Sequence, residues 1–356
     1  MMQEKSSVPI SDTIQRLKEK GDFLYLSRRA PERFATSINF ILSEHTKVTI
    51  HAEGIICFEP FVGADKDIVL SCGVHGNETA PIEICDDLVS SILLSKIEVK
   101  QRVLVIFGNL PAMDLAQRFV VENMNCLFSK EHQILAPGQK VSSERLRAKQ
   151  LEQVVRTFYL ESNISADRAR YHYDLHTAIR PSKNQKFAVY PYQNGKPWDK
   201  NQLQILLACG VNTILLSGNP TTTFSYYSAS QFSAHAFTVE LGKVKAFGEN
   251  HRADFTEVRQ TLTALICDQE LPLKAFDDAN FLIYKVNQVI NKLKPDFRLN
   301  FADDMPNFSD FPLNHVLATE TDTEYKTEFE GEAIVFPNAD VEIGQRALLT
   351  VIPTKI

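Results

Sequence analysis

His75 and Glu78 stand three residues apart in Val69-Leu-Ser-Cys-Gly-Val-His-Gly-Asn-Glu-Thr-Ala-Pro81, where a hydrophobic run gives way to polar residues. An imidazole nitrogen and a carboxylate oxygen suit Zn²⁺ at about 2.0–2.2 Å, and a catalytic zinc usually has three protein ligands plus one open position for water. A third ligand must come from elsewhere. His176, in Tyr171-His-Tyr-Asp-Leu-His-Thr-Ala-Ile-Arg180, stands at the end of a strand-like alternation and completes a His, Glu, His set. Asp174 lies two residues earlier on the same strand face and can orient a ligand histidine, with the choice of histidine open. A further strand-like run, Ala234-His-Ala-Phe-Thr-Val-Glu-Leu-Gly242, carries Glu240, a carboxylate suited to act as general base. A lone His-x-x-Glu is common on protein surfaces; position is what strengthens this one. His75, His176 and Glu240 each fall just past the end of a strand-like run, and in open α/β sheets the ligand crevice lies outside the carboxyl ends of the strands.

These segments resemble the succinylglutamate desuccinylase and aspartoacylase family, whose catalytic domain is related to zinc carboxypeptidases. His75-Gly-Asn-Glu-Thr-Ala-Pro81, Asp174-Leu-His-Thr-Ala-Ile-Arg180 and Val239-Glu-Leu-Gly-Lys243 carry the resemblance. Gly108-Asn-Leu-Pro-Ala112, Arg118-Phe119 and Met124-Asn-Cys-Leu-Phe128 follow in the family's order, and Glu332–Asn338 and Ile343–Ala347 extend the likeness to the C-terminus, towards the desuccinylase branch. The resemblance implies a mixed sheet flanked by helices with a smaller C-terminal β domain. It further implies one Zn²⁺ per subunit held by His75, Glu78 and His176, with Glu240 activating water and then protonating the leaving amine. Arg118 would stabilise the oxyanion. The implied reaction is hydrolysis of N2-succinylglutamate to succinate and glutamate, in the succinyltransferase route of arginine breakdown.

One position departs from the family. Relatives usually read Asn-Arg-Leu-Phe or Asn-Arg-Met-Phe where this chain reads Asn125-Cys126-Leu-Phe. Arginine grips a carboxylate bidentately and a neutral thiol does not. Among the expected substrate-binding residues, Asn125, Cys126, Arg180 and Lys243, the two cations are therefore the candidates to compensate. Two alternatives follow: a deacylase of a different N-acyl amino acid, or a catalytically weak metal-binding homologue. Retention of Glu240 and Arg118 speaks against the second. Asn123 stands where many relatives carry aspartate; its amide can still accept from a ligand histidine, while raising ligand basicity less.

Composition sets the class. Of 356 residues, 44% are hydrophobic and 23% charged, ordinary for a globular chain long enough for two domains. A net charge of -6 with no Lys/Arg block longer than a pair disfavours nucleic acid and anionic membranes as partners and leaves a small anionic N-acyl amino acid as the expected substrate. The six cysteines are scattered without a Cys-x-x-Cys pair and read as reduced thiols. The polar start Met1–Ser7 has no apolar core of a signal peptide, and no run approaches the roughly 18 apolar residues of a membrane span; the expected location is the cytoplasm. Oligomeric state is open.

The pattern predicts helices over Ser11–Lys20, Pro81–Leu94, Ser142–Leu160, Asn201–Cys209 and Phe255–Cys267. Predicted strands include Lys47–His51, Gly54–Phe58, Ile68–Val74, Arg102–Gly108, Lys186–Tyr192, Thr213–Ser217 and Ala236–Leu241. Beyond residue 270 the texture turns to β, through Ala279–Asn291, Glu324–Phe329 and Leu348–Ile352. The expected domains are 1–269, a zinc hydrolase, and 270–356, a β domain capping the cleft. His172 competes with His176 on spacing alone; His132, His235 and His251 need no functional role.

Overall fold

Ile68, Val69, Leu70 and Cys72 are all fully buried, so this run is a strand covered on both faces, as parallel strands flanked by helices require. The computed structural model describes residues 9–160, 168–271 and 273–356; the Met1–Ser7 stretch lies outside them. Helices α1 (Ile10–Lys20) and α2 (Phe23–Arg29) lead into three antiparallel strands, β1 (Ile38–Ser43), β2 (Thr46–Ala52) and β3 (Ile55–Pro60). Strand and helix then alternate: β4 (Lys66–Cys72), α3 (Thr79–Leu93), β5 (Arg102–Phe107), the short α4 (Leu110–Asp114), α5 (Ser143–Leu160), β6 (Ala169–Ala178) and β7 (Phe187–Tyr190). They continue through α6 (Lys200–Ala208), β8 (Thr213–Leu216), α7 (Phe224–Phe232), β9 (His235–Lys243) and α8 (Thr256–Ile266).

The remaining strands are β10 (Leu282–Asn291), β11 (Arg298–Leu299), β12 (Ser309–Phe311), β13 (Val316–Glu320), β14 (Thr323–Lys326), β15 (Glu332–Val335) and β16 (Arg346–Pro353). Sheet order is β1-β2-β3-β5-β4-β6-β9-β7-β8-β10-β16-β15-β12, with β11, β13 and β14 in a second, small sheet. The C-terminal β segment thus continues the main sheet: β10 pairs parallel to β8, from Leu282 opposite Thr213 to Lys285 opposite Leu216.

Alternating side chains divide the core between the two faces. Ile68, Leu70 and Cys72 join Ile82, Val89, Leu203 and Val258 on the α3, α6 and α8 side, while Val69 and Leu104 pack with Leu151 and Tyr227 on the α5 and α7 side. A further cluster of Ile290, Phe297, Leu317 and Leu348 joins the small sheet to the end of the large one.

Several boundaries differ from the sequence reading for local reasons. β4 stops at Cys72 rather than Val74 because Gly73 turns the chain at φ 62, in the left-handed region where glycine is at no disadvantage. β6 runs on to Ala178 and β9 to Lys243, since the two remain paired there; His176 and Glu240 therefore lie within their strands, and only His75 lies past one. Helix α3 begins at Thr79, with Pro81 still in the first turn, where its missing N–H costs nothing.

Gly76 packs directly on the backbone of α4: a Cβ there would overlap the Ala112 carbonyl carbon and the Met113 nitrogen, neither of which is a flexible tip. Gly76→Ala should therefore destabilise the fold by about 1–3 kcal/mol, as overpacking typically does, and push the neighbouring His75 out of place. A melting temperature equal to the parent's, with metal affinity unchanged, would contradict this packing.

Candidate metal and catalytic centre

Three neighbouring parallel strands, β4, β6 and β9, bring the chemistry together at their carboxyl ends. After β4 the turn through Gly73 and Val74 delivers His75, and the Gly76 N–H donates to the Arg118 carbonyl at 3.1 Å, fastening the loop. Glu78 immediately precedes α3, close to the positive end of that helix. His176 on β6 is paired directly with Glu240 on β9, and directly paired residues present their side chains to the same face.

His75, Glu78 and His176 are buried and offer ligand atoms that all lie within 4.8 Å of one another. His75 Nδ1 is 2.8 Å from Glu78 Oε1, and His176 Nδ1 is 2.9 Å from Glu78 Oε2. The opposite ring nitrogens face fixed acceptors: His75 Nε2 donates to Asn123 Oδ1 at 2.8 Å and His176 Nε2 to Asp174 Oδ2 at 3.0 Å. Each Nδ1 is therefore the atom turned to the centre, the arrangement in which a histidine ligand is fixed through its other nitrogen. Asp174, whose histidine the sequence leaves open, belongs to His176.

The electrostatics ask for a cation. Burial lowers the His75 pKa, as does Arg118, so this ring is neutral; with its proton committed to Asn123, its Nδ1 lone pair faces a carboxylate oxygen. Burial works against the charge on Glu78 too, yet His75 and His176 hold its carboxyl well below the usual range. Burial opposes the charge of His176, and Asp174 and Glu78 overcome it, raising its pKa well above the ordinary value. A divalent metal among two imidazole nitrogens and a carboxylate would replace the shared protons and resolve the conflict, so the donor set fits Zn²⁺.

Behind Asp174 runs a buried chain. Ser71 Oγ donates to Asp174 Oδ1 at 2.5 Å, so it must accept from His172 Nε2 at 2.8 Å, and His172 Nδ1 accepts from Ser228 Oγ at 2.7 Å. His172 is thus an orienting group rather than a rival ligand, kept neutral by burial that pushes its pKa down to about 4. Ser71 was missed by the sequence reading because it acts across strands, from β4 to β6, with no local signature.

Glu240 is 6% exposed and its Oε2 has no hydrogen-bond partner. Burial, then the nearby charge of Glu78, raise its pKa to about 7, where a carboxyl can both take and return a proton at neutral pH. Arg118 Nη1 contacts Glu78 Oε1 at 2.7 Å with its side chain 31% exposed, so it edges the site. Asn125 spends its Oδ1 on the Phe224 N–H at the start of α7. Cys126 is half-buried, with Arg346 and Arg118 as its charged neighbours. Arg180 is half-buried two residues beyond β6 with Nη1 unpartnered, and Lys243 is exposed at the end of β9; neither touches the His, Glu, His group. Arg346 was not singled out from the sequence as a site residue, although its segment was noted.

The chain is similar to known proteins over nearly its whole length. Residues 64–266 match the family model described as the succinylglutamate desuccinylase/aspartoacylase catalytic domain, and residues 279–354 match the AstE/AspA barrel-sandwich hybrid domain. A succinylglutamate desuccinylase of Pseudoalteromonas atlantica is 59% identical over 343 residues, covering 96% of this chain and 97% of the relative. That of Idiomarina loihiensis is 49% identical, covering 93% and 96%. The X-ray structure of the enzyme from Vibrio parahaemolyticus aligns with a TM-score of 0.83 at 32% identity, covering 94% of this chain and 95% of that one.

Glu240 also ties stability to pH. Its folded pKa of about 7 lies above the ordinary 4.5, so the folded state holds a proton that the unfolded state has lost between these values, and stability falls as pH rises through that window. In chelator-treated protein, Glu240→Gln should melt above the parent at pH 8, on the order of a few degrees. The gap should close by about pH 4, where both states carry the proton. Thermal scans showing a gap independent of pH would remove this titration.

Proposed function

The chain belongs to the succinylglutamate desuccinylase/aspartoacylase family, and from this premise we propose that it cleaves N2-succinylglutamate to succinate and glutamate, with Zn²⁺ held by His75, Glu78 and His176. It is a hydrolase of a linear amide. The observation that carries the zinc reading is the convergence of two imidazole Nδ1 atoms and one buried carboxylate beside an unpaired carboxyl, Glu240.

Bound zinc would supply Lewis acidity to a water and to the amide carbonyl oxygen. His75 and His176 present Nδ1 because Asn123 and Asp174 occupy their Nε2 protons. Glu240 accepts a proton from the attacking water on its free Oε2 as the new C–O bond forms. It then returns that proton to the glutamate nitrogen as the C–N bond breaks, which leaves succinate and the free amine. Arg118 lies beside Glu78 with part of its guanidinium open to the cleft, placed to offset the negative charge that grows on the carbonyl oxygen.

Residues 1–269 form the hydrolase domain in this reading, and 270–356 a β domain narrowing the cleft. Six free cysteines support a reducing compartment, the cytoplasm, and the substrate places the enzyme in arginine breakdown. Among the described residues no helix is long and apolar enough to cross a membrane. Cys126 favours one second reading, an N-acyl amino acid with a different charge pattern.

Zinc-loaded protein should release glutamate from N2-succinylglutamate, and a chelator-treated sample should not; release that survives chelation would refute the zinc reading. Glu240→Gln should keep stoichiometric zinc while turnover falls by about 10²–10⁴-fold. Turnover at the parent rate would take Glu240 out of the reaction. Ser71→Ala should weaken zinc binding by about 10–100-fold through Asp174, with Ser71→Thr restoring much of it. Competition with a chromophoric chelator measures this, and equal affinity in the alanine variant would end the argument for the buried chain.

A further inference from the structure

Arg118 sits on a stretch of chain with little apolar packing to hold it. Between α4 and the turn at Met124–Cys126 there is neither helix nor strand, and Phe119, Val120 and Val121 keep their side chains exposed. The contacts that fix this backbone come instead from the start of α5. Glu144 Oε1 accepts from the Val120 N–H at 2.8 Å, from the Val121 N–H at 3.2 Å and from Asn109 Nδ2 at 3.3 Å. The Asn109 side chain also caps α4, its Oδ1 accepting from the Ala112 N–H at 3.2 Å. One carboxylate oxygen therefore joins the Arg118 stretch to the helix on which Gly76 packs.

Glu144 is 1% exposed. Burial opposes its charge, and the Val120 and Val121 amides, with Asn109, outweigh it and hold the carboxyl below the usual range. The acceptor is thus ionised, and its hydrogen bonds are of the stronger, charge-assisted kind. Its neighbour Arg145, also buried, takes hold further along. Arg145 Nε and Nη2 fork onto the two oxygens of Glu122 at 2.7 and 2.8 Å, and Nη1 donates to the Glu131 and Ile134 carbonyls at 3.0 and 2.6 Å.

These grips bear on where Arg118 points. Its Nη1 meets Glu78 Oε1 at 2.7 Å, while its backbone carbonyl takes the Gly76 N–H at 3.1 Å. The guanidinium thus projects from a backbone fixed on both sides, at 118 by the loop that carries His75 and at 120–121 by Glu144. Nothing in the local sequence signals this, because Glu144 lies more than twenty residues further along the chain.

We propose that Glu144 is a positioning residue of the amide hydrolysis, anchoring the 119–121 backbone so that the Arg118 guanidinium stays aimed at the developing oxyanion. Its own contacts are with Asn109, Ser143 and the loop backbone, so it acts through Arg118. This rests on the desuccinylase reading above.

Steady-state kinetics on N2-succinylglutamate with zinc-loaded protein test it. Misplacing a catalytic group by about 1 Å can cost about 10²-fold, so Glu144→Ala should lower kcat by about 10–100-fold, with KM and zinc affinity within about threefold of the parent. Glu144→Gln, whose amide oxygen still accepts from both N–H groups, should recover most of the loss. In an Arg118→Ala background, Glu144→Ala should change kcat by less than about threefold, because the group it positions is gone. A kcat for Glu144→Ala within about twofold of the parent overturns the proposal, as does an equal loss in both backgrounds. Should Glu144→Ala fail to fold, Glu144→Asp, which draws the oxygen back by one methylene, carries the same expectations. Absence of turnover in the parent would sink the desuccinylase reading instead. Glu144 is then judged by limited trypsin digestion of the zinc-loaded protein: cleavage after Arg118 faster by about tenfold or more in Glu144→Ala supports the anchoring, and equal cleavage overturns it.

Discussion

A single buried carboxylate organises this molecule. Glu78 is 2% exposed, and a charge so far from water persists only when surrounded by partners. It has four: His75, His176, Arg118 Nη1 at 2.7 Å and the Thr177 N–H at 3.0 Å. These come from the loop after β4, from β6 and from the segment after α4, so satisfying one side chain fixes the relative position of three parts of the chain. The same demand explains why Gly76 must touch α4. The loop can bring His75 and Glu78 inward only if its backbone approaches that helix more closely than any residue with a Cβ allows.

The partners of Glu78 carry the order outward. Asp174 and Asn123 settle which imidazole nitrogens face the centre, and Ser71, His172 and Ser228 settle Asp174. The side-chain polar atoms of Asp174, Ser71 and His172 all find partners, as a buried network must if it is to rigidify rather than destabilise. Beside them Glu240 Oε2 is left without one. An unpaired carboxyl oxygen next to an otherwise complete network is costly to folding, and the raised pKa records that cost. Such a group is worth keeping where a proton must be moved.

Legibility in the sequence followed the range of the interactions. His75, Glu78, His176 and Glu240 could be read because each sits within or shortly after a strand whose apolar pattern is local. Elements with strong periodicity, such as α5 and α8, matched to within a residue or two. Helix α7 was not foreseen: Phe224-Ser-Tyr-Tyr-Ser-Ala-Ser-Gln-Phe232 is poor in strong helix formers, and it is held by the Thr223 cap, by Asn125 and by Phe128 stacked on Phe224 at 4.2 Å. The strand ends at Ala178 and Lys243 were set by pairing between β6 and β9, which no single segment reveals. Ser71 was hidden for the same reason, since it acts on His172 and Asp174, far away in the chain.

Continuity of the sheet gives the C-terminal segment more than a covering role. Because β10 hydrogen-bonds to β8 in register, and Asn307 is bound to the chain just after β6, the strands β10, β16, β15 and β12 are placed by backbone contacts at two sites. A side chain mounted there has its position set by the catalytic sheet itself, as a residue on a flexible lid would not. This matters for a protein whose net charge is -6. The chain as a whole repels an anionic substrate, so attraction has to come from cations concentrated at the cleft, where low-dielectric walls focus their field. Arg118 beside Glu78 is largely neutralised by it. The part of its guanidinium still open to solvent, with the side chain 31% exposed, is what that pair leaves free to meet an anion.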